Sequence, residues 1–187
     1  MSTKSEYTVR RLEPSDAPSF FAVVRASLPE LTYWMPWCKP DYSLEDAEAW
    51  ISFTQISWAN RTQFPLGVVE TSSGKVIGGT GINQINKHYQ IGNIGYWVGT
   101  PYVGRGVARF AAKQAALLGF GELGLTRLEI VALTHNAASQ RVAESIGALR
   151  ECEARNRLYF HGQPHDAVVY SLVESDVQSG HGSHCDA

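Results

Sequence analysis

The residues with the types and spacing to manage a reacting ligand are Asn93, the glycines at 104 and 106, Asn136, and Ser139 three positions further on. Glycine takes up left-handed backbone freely and lets the main chain approach a ligand without a Cβ in the way. Gly104 and Gly106 flank Arg105, follow a proline-marked turn at Pro101, and precede apolar residues at helical spacing from Val107. A helix opening there leaves its first N–H groups unpaired and its positive dipole end exposed. That end is an anion site, and a pyrophosphate is its natural occupant. Asn136, ahead of Ala137-Ala-Ser139, suits a helix N-cap.

These residues need a frame to hold them. Tyr7–Leu12 alternates as a first strand, and Ser15 or Asp16 caps a helix with Phe20, Val23, Val24 and Ser27 on one face. Leu31–Pro40 is aromatic and broken by two prolines, which predicts a loop or short turn. Ser43–Asp46 reads as a capping box for a helix to about Ala59, with Ala47, Trp50, Ile51 and Thr54 together. Phe64–Glu70 and Val76–Ile85 form a hairpin about Thr71–Gly74, and Tyr89–Val98 adds a strand. The helix after the glycines buries Val107, Phe110, Ala111 and Leu118, and Gly121 and Gly124 end it. Leu128–Thr134 is strand-like. The helix capped by Asn136 turns Ala138, Val142 and Ile146 inward and closes at Gly147. Leu149–Phe160 and His165–Val173 pair around His161–Pro164. This order predicts an α/β chain with one mixed sheet and helices on its faces. Ligands in such sheets lie at the carboxyl ends of strands, and the glycine loop sits at one.

Bulk properties agree with a single domain over residues 1–176 and an unstructured polar tail over 177–187. Apolar residues make up 44% and charged residues 18%, as in an ordinary soluble globule. A net charge of −2 argues against a nucleic-acid partner. The absence of a long apolar run or signal-peptide core argues against a membrane and for a cytoplasmic location. Cys38, Cys152 and Cys185 are too scattered for a disulfide framework or zinc cluster. His181, His184 and Cys185 lie on the tail, and no metal is expected.

Three segments resemble the GNAT superfamily of acetyl-CoA-dependent N-acetyltransferases, and within it the Rim-type branch that acetylates ribosomal-protein N-termini. Ile94-Gly-Tyr-Trp-Val98 is similar to the strand along which pantetheine lies. Val103-Gly-Arg-Gly-Val-Ala108 is similar to the pyrophosphate loop, Q/R-x-x-G-x-G/A, with Val103 at its first position. Asn136-Ala-Ala-Ser139, continuing to Glu144–Ala148, is similar to the N-x-x-S helix beside the thioester. Trp34-Met-Pro-Trp37 and Ser43–Asp46 also resemble that branch. The resemblance spans roughly residues 7 to 174. It implies the GNAT fold, with a mostly antiparallel sheet flanked by helices.

The resemblance also implies roles. Acetyl-CoA would contact Trp97, Val98, Val103, Gly104, Arg105, Gly106, Val107, Ala108 and Asn136. Ser139 would contact it too and stabilise the departing thiolate. Asn93 stands where Rim-type enzymes often carry a glutamate base, and an amide accepts no proton at neutral pH. Asn93 could instead orient the amine or a water, and His88 and His135 are the alternative bases. No tyrosine follows Ser139 on its helix to act as an acid. Tyr33, Trp34, Trp37 and Tyr159 are the acceptor-pocket candidates. An α-amino group near pKa 8 loses its proton at pH 7.4 for under about 1 kcal/mol, a lysine near 10.4 for roughly 4. A site without a strong base therefore favours a peptide or protein N-terminus. A small-molecule amine and a non-catalytic acyl-CoA-binding module are the rival readings. Aromatic-rich surface segments are compatible with a homodimer.

Overall fold

The computed structural model describes residues 5–178. In chain order its elements are β1 (Tyr7–Arg10), α1 (Ala17–Arg25), α2 (Leu28–Trp34), α3 (Leu44–Ala59), β2 (Phe64–Glu70), β3 (Val76–Asn86), β4 (Ile91–Val98), α4 (Val107–Gly121), β5 (Arg127–Leu133), α5 (Ala137–Ser145), β6 (Leu149–Phe160), β7 (Gln163–Leu172) and α6 (Glu174–Gln178). Single 3-10 turns precede α1, at Pro14–Asp16, and the glycine loop, at Thr100–Tyr102.

The strands form a seven-stranded sheet in the order β1-β2-β3-β4-β5-β7-β6. Neighbours run antiparallel except β4 and β5, which are parallel and joined by the α4 crossover. One core packs Ile82, Ile94, Leu128, Tyr170 and Leu172 beneath α4, α5 and α6. A second packs Phe20, Val24, Leu31, Ile51, Val69 and Val76 between α1–α3 and the sheet. The mixed sheet clothed by helices is the predicted architecture. No helix among the described residues is long and apolar enough to cross a membrane.

The β4–β5 pairing is short. Ile91, Gly92 and Asn93 face Arg127, Leu128 and Glu129, and the register goes no further. Ile94–Val98 continue against β3 alone, while β5 continues against β7. The sheet therefore opens into a cleft beyond Asn93. Helix α4 lies close over its root because its inner stripe is mostly alanine: Ala111, Ala112, Ala115 and Ala116 are fully buried. Small side chains permit that approach. Phe110 and Leu118, expected inside, are only half-buried.

Three local expectations change. Leu28–Trp34, predicted in part as a loop, is helix α2: Pro29 falls in the first turn, where its missing N–H costs no helical bond, and extended Met35 ends the helix before Pro36. Ala138 is exposed, and Ala143 is the buried residue of α5. The last turn is tighter than predicted, at His161 and Gly162, both with positive φ. At the other end, α6 includes Gln178 and buries Val177. The remaining tail, with His181, His184 and Cys185, lies outside the described residues.

Asp16 stands at the N-cap of α1 but makes no side-chain cap bond to it. Its carboxylate instead takes both arms of the Arg10 guanidinium at 2.7 Å and the Glu13 N–H at 2.8 Å. Burial opposes its ionisation, but these donors outweigh burial and hold its pKa below the usual carboxylate value. A depressed carboxylate adds stability above its unfolded pKa, about 3.9, and loses it as pH falls through the lower folded value. Asp16→Asn is thus expected to lower the melting temperature at neutral pH and to flatten its acid decline below about pH 4. Parallel wild-type and variant curves down to pH 2 would contradict this.

Candidate active site

The cleft presents two surfaces, a bare strand rim and a loop of free amides. Gly99 N–H donates to Ile77 O at 2.9 Å, and the register sets Val98 opposite Gly78. Antiparallel pairs alternate, so Asn93, Gly95 and Trp97 exchange bonds with β3. Ile94 still spends its N–H on Glu129 in the last β4–β5 rung, so the groups directed into the cleft that β5 has left are the Ile94 C=O and the N–H and C=O of Tyr96 and Val98. A ligand laid along this rim finds donors and acceptors already extended.

The glycine loop stands at the end of the same strand. Gly104 and Gly106 have φ of 81° and 76°, and nothing lies within 4 Å of where a Cβ would stand at either. Gly106 is the N-cap of α4. None of the amides from Gly104 to Arg109 makes a hydrogen bond of good geometry within the described chain; the ladder starts with Phe110 N–H to Gly106 O. Such a run of aligned amides is an anion nest. The Arg105 guanidinium lies 5.3 Å from the Tyr102 ring centre, at the nest's edge. Val103 is exposed. Val107 is buried in the core, so its amide alone can face a ligand. The loop is braced from behind, since Thr100 N–H donates to buried Ser27 Oγ at 2.8 Å and Thr100 Oγ1 to Glu30 Oε2 at 2.9 Å.

The far wall of the cleft is the first turn of α5. Asn136 caps it, its Oδ1 accepting the Ser139 N–H at 3.0 Å. The Tyr96 hydroxyl reaches across from β4, donating to Ser139 O at 2.9 Å and sharing a 3.0 Å hydrogen bond with Ser139 Oγ. Burial pushes the Tyr96 phenol up to about 12 although Ser139 pulls the other way, so the phenol stays protonated. Tyr96 was not singled out from the sequence. Its period of two with Ile94 placed it on the α5 face, but its partner on α5 could not be read from that period.

Asn93 lies on the opposite face of β4. Its Nδ2 donates to Asn83 Oδ1 at 2.9 Å. Its register partner is Glu129, whose carboxylate is bound by Arg127 at 3.0 Å and Arg157 at 3.7 Å. His88 sits in the turn before β4, against Tyr89 and away from the cleft.

The aromatic candidates separate. Tyr33 and Trp34 stand at the end of α2 and meet the β6–β7 hairpin, with Tyr33 5.6 Å from Phe160 and Trp34 stacked on it at 6.2 Å. His135, just before Asn136, lies 5.7 Å from Trp34. Together they make a wall beside the α5 cap. Trp37 turns inward instead, between Trp50 and Trp97. Trp97 lies so flat on β3 that a Cβ at Gly79 would sit 2.5 Å from its indole nitrogen. Tyr159 is exposed and bonded to Gly162 O at 2.8 Å, outside the wall.

A split beside the parallel strand pair, an anion nest at its mouth and a capped serine on its wall suit a thioester of a nucleotide-bearing carrier. Residues 7–149 match the acetyltransferase (GNAT) domain. The chain belongs to the GNAT acetyltransferase family. It is 29% identical over 170 residues to YdaF of Bacillus subtilis, a candidate ribosomal N-acetyltransferase, covering 90% of this chain and 92% of that one. A solved candidate ribosomal-protein-serine acetyltransferase from Vibrio cholerae is 30% identical with a TM-score of 0.79, covering 91% and 95% of the two chains. A RimL ribosomal-protein α-N-acetyltransferase solved with coenzyme A has the same fold, at 19% identity and a TM-score of 0.79, covering 91% and 95%. This GNAT protein is thus an N-acetyltransferase with relatives named for ribosomal proteins, as the sequence resemblance implied.

Proposed function

We propose that this acetyltransferase transfers an acetyl group from acetyl-CoA to the α-amino group of a peptide or protein N-terminus. The observation that carries the reading is the make-up of the cleft root, where amides, Asn93 bonded to Asn83, occupy the place of a base. The glycine nest fits a diphosphate, since its amides are free and its Cβ positions are open. Amides from Gly104 to Ala108 would hold the diphosphate, with Arg105 as countercharge. The rim at Ile94, Tyr96 and Val98 would align the pantetheine arm. Acetyl-CoA supplies an acyl group activated as a thioester.

The protein's own groups do the rest. A free N–H on the β4 rim meets the developing oxyanion, a contact that strengthens as charge builds. Ser139 Oγ would face the departing sulfur. Asn93 Oδ1 accepts a hydrogen bond from the incoming amine and orients it without taking its proton. The wall of Tyr33, Trp34 and His135 receives the first side chain of the acceptor.

With an amide at position 93 and the neighbouring Glu129 carboxylate tied to Arg127 and Arg157, preference follows the amine's own acidity. An α-amine is about 2.4 pKa units easier to deprotonate than lysine, about 3 kcal/mol or a factor of a few hundred, of which roughly a hundredfold is expected in rate. A peptide with a free Ser or Ala start is therefore expected to be acetylated about a hundredfold faster than its N-blocked, lysine-containing form at pH 7.4. Mass spectrometry of the products decides the point. Faster turnover of the blocked peptide, or turnover confined to small amines, would overturn the proposal.

A further inference from the structure

We propose that Tyr96 is the positioning residue for the Ser139 hydroxyl, holding it at the rim of the cleft for the departing sulfur. The inference rests on the acetyl-transfer reading and extends it to a group on the strand. The phenol bonds two atoms of one residue, the Ser139 carbonyl at 2.9 Å and its Oγ at 3.0 Å. A tyrosine that only filled the core would need one acceptor and no particular one. Helix α5 is otherwise lightly held, with Ala143 its one fully buried side chain among the described residues. A second phenol, Tyr170, donates to Glu144 Oε1 at 2.9 Å and secures its later part. The turn that carries Asn136 and Ser139 thus takes its height above β4 from Tyr96.

In the transfer step the amine nitrogen bonds to the acyl carbon and the carbon–sulfur bond breaks, its electron pair going to sulfur. The ammonium proton passes to water. Ser139 O–H turns to the thiolate, and the phenol's single proton swings from the Ser139 carbonyl to Oγ, 3.0 Å away. That donation makes the serine the better donor, as hydrogen bonds in a chain reinforce one another. Tyr96 keeps its own proton. A thiol near pKa 8.5 cannot take it from a phenol at about 12.

The test measures initial rates of the full-length protein with acetyl-CoA and a peptide amine for wild type, Tyr96→Phe, Ser139→Ala and the double variant. Circular dichroism and calorimetry with coenzyme A check that each variant folds and binds. Tyr96→Phe is expected to lower kcat about tenfold with KM for acetyl-CoA within roughly twofold of wild type. Ser139→Ala should lose a similar factor, and the double variant no more than either, because both act through one hydroxyl. Losses that multiply, or an unchanged kcat in Tyr96→Phe, would overturn the positioning role while leaving acetyl transfer standing. A wild type that binds coenzyme A yet acetylates no amine across a broad panel would overturn the acetyl-transfer reading, and this role with it.

Discussion

Gly106→Val is expected to weaken coenzyme A binding by about a hundredfold, a loss of roughly 3 kcal/mol. The residue holds φ at 76° as the N-cap of α4. A β-branched side chain is a steric outlier in that region. The Cβ itself meets no atom within 4 Å, so the cost is backbone strain in the loop and not a clash with the core. What suffers is the nest, since relaxing φ turns the Gly106 and Val107 amides away from a common point. The added methyls also stand where a phosphate would lie. Isothermal calorimetry on a variant with near-native circular dichroism measures the effect. An affinity within threefold of wild type would show that the anion binds elsewhere.

Asn93→Glu carries the next largest effect, and it depends on the acceptor. A carboxylate there would face Glu129, already tied to Arg127 and Arg157, across the last β4–β5 rung. Unlike the amide it replaces, it can take the amine's proton as a general base. Turnover of lysine-type amines is expected to rise about tenfold, with α-amine turnover little changed. The pH profiles provide the sharper signature. Wild-type activity on a high-pKa amine should keep climbing with pH, because only the free amine reacts. The variant should level off once its carboxylate is ionised. Superimposable profiles would mean that position 93 does not face the reacting amine.

Much of this site was legible from residue order because its parts are local. Gly104 and Gly106 before an apolar helix, and Asn136 three residues ahead of Ser139, state their geometry within a few positions. The Ser43 box likewise appears as written, with Ser43 Oγ accepting the Asp46 N–H and Asp46 accepting the Ser43 N–H. What stayed hidden depends on contacts far apart in sequence. The end of the β4–β5 pairing at Asn93 is a matter of register between strands separated by α4. The contact of Tyr96 with Ser139 spans the same gap. Trp34 and Trp37 share one aromatic run, yet α2 turns the first towards the hairpin and the second into the core. The two prolines of Leu31–Pro40 misled because Pro36 lies just past the end of α2, so Leu31–Trp34 complete a helix that starts at Leu28.

The short parallel pairing has a mechanical consequence. Along the backbone, three rungs, the Thr126 N–H to Gln90 O bond beside them and one crossover helix tie β1–β4 to β5–β7. Past those rungs, among the described residues, only side-chain contacts such as Tyr96 to Ser139 and Tyr33 to Phe160 span the gap between the two wings. A molecule stretched along the bare margin of β4, with its charged head in the nest, would supply the missing contacts between them. Its occupancy and the union of the two wings would then be one equilibrium, so the substrate that is consumed also serves, while bound, as an eighth strand.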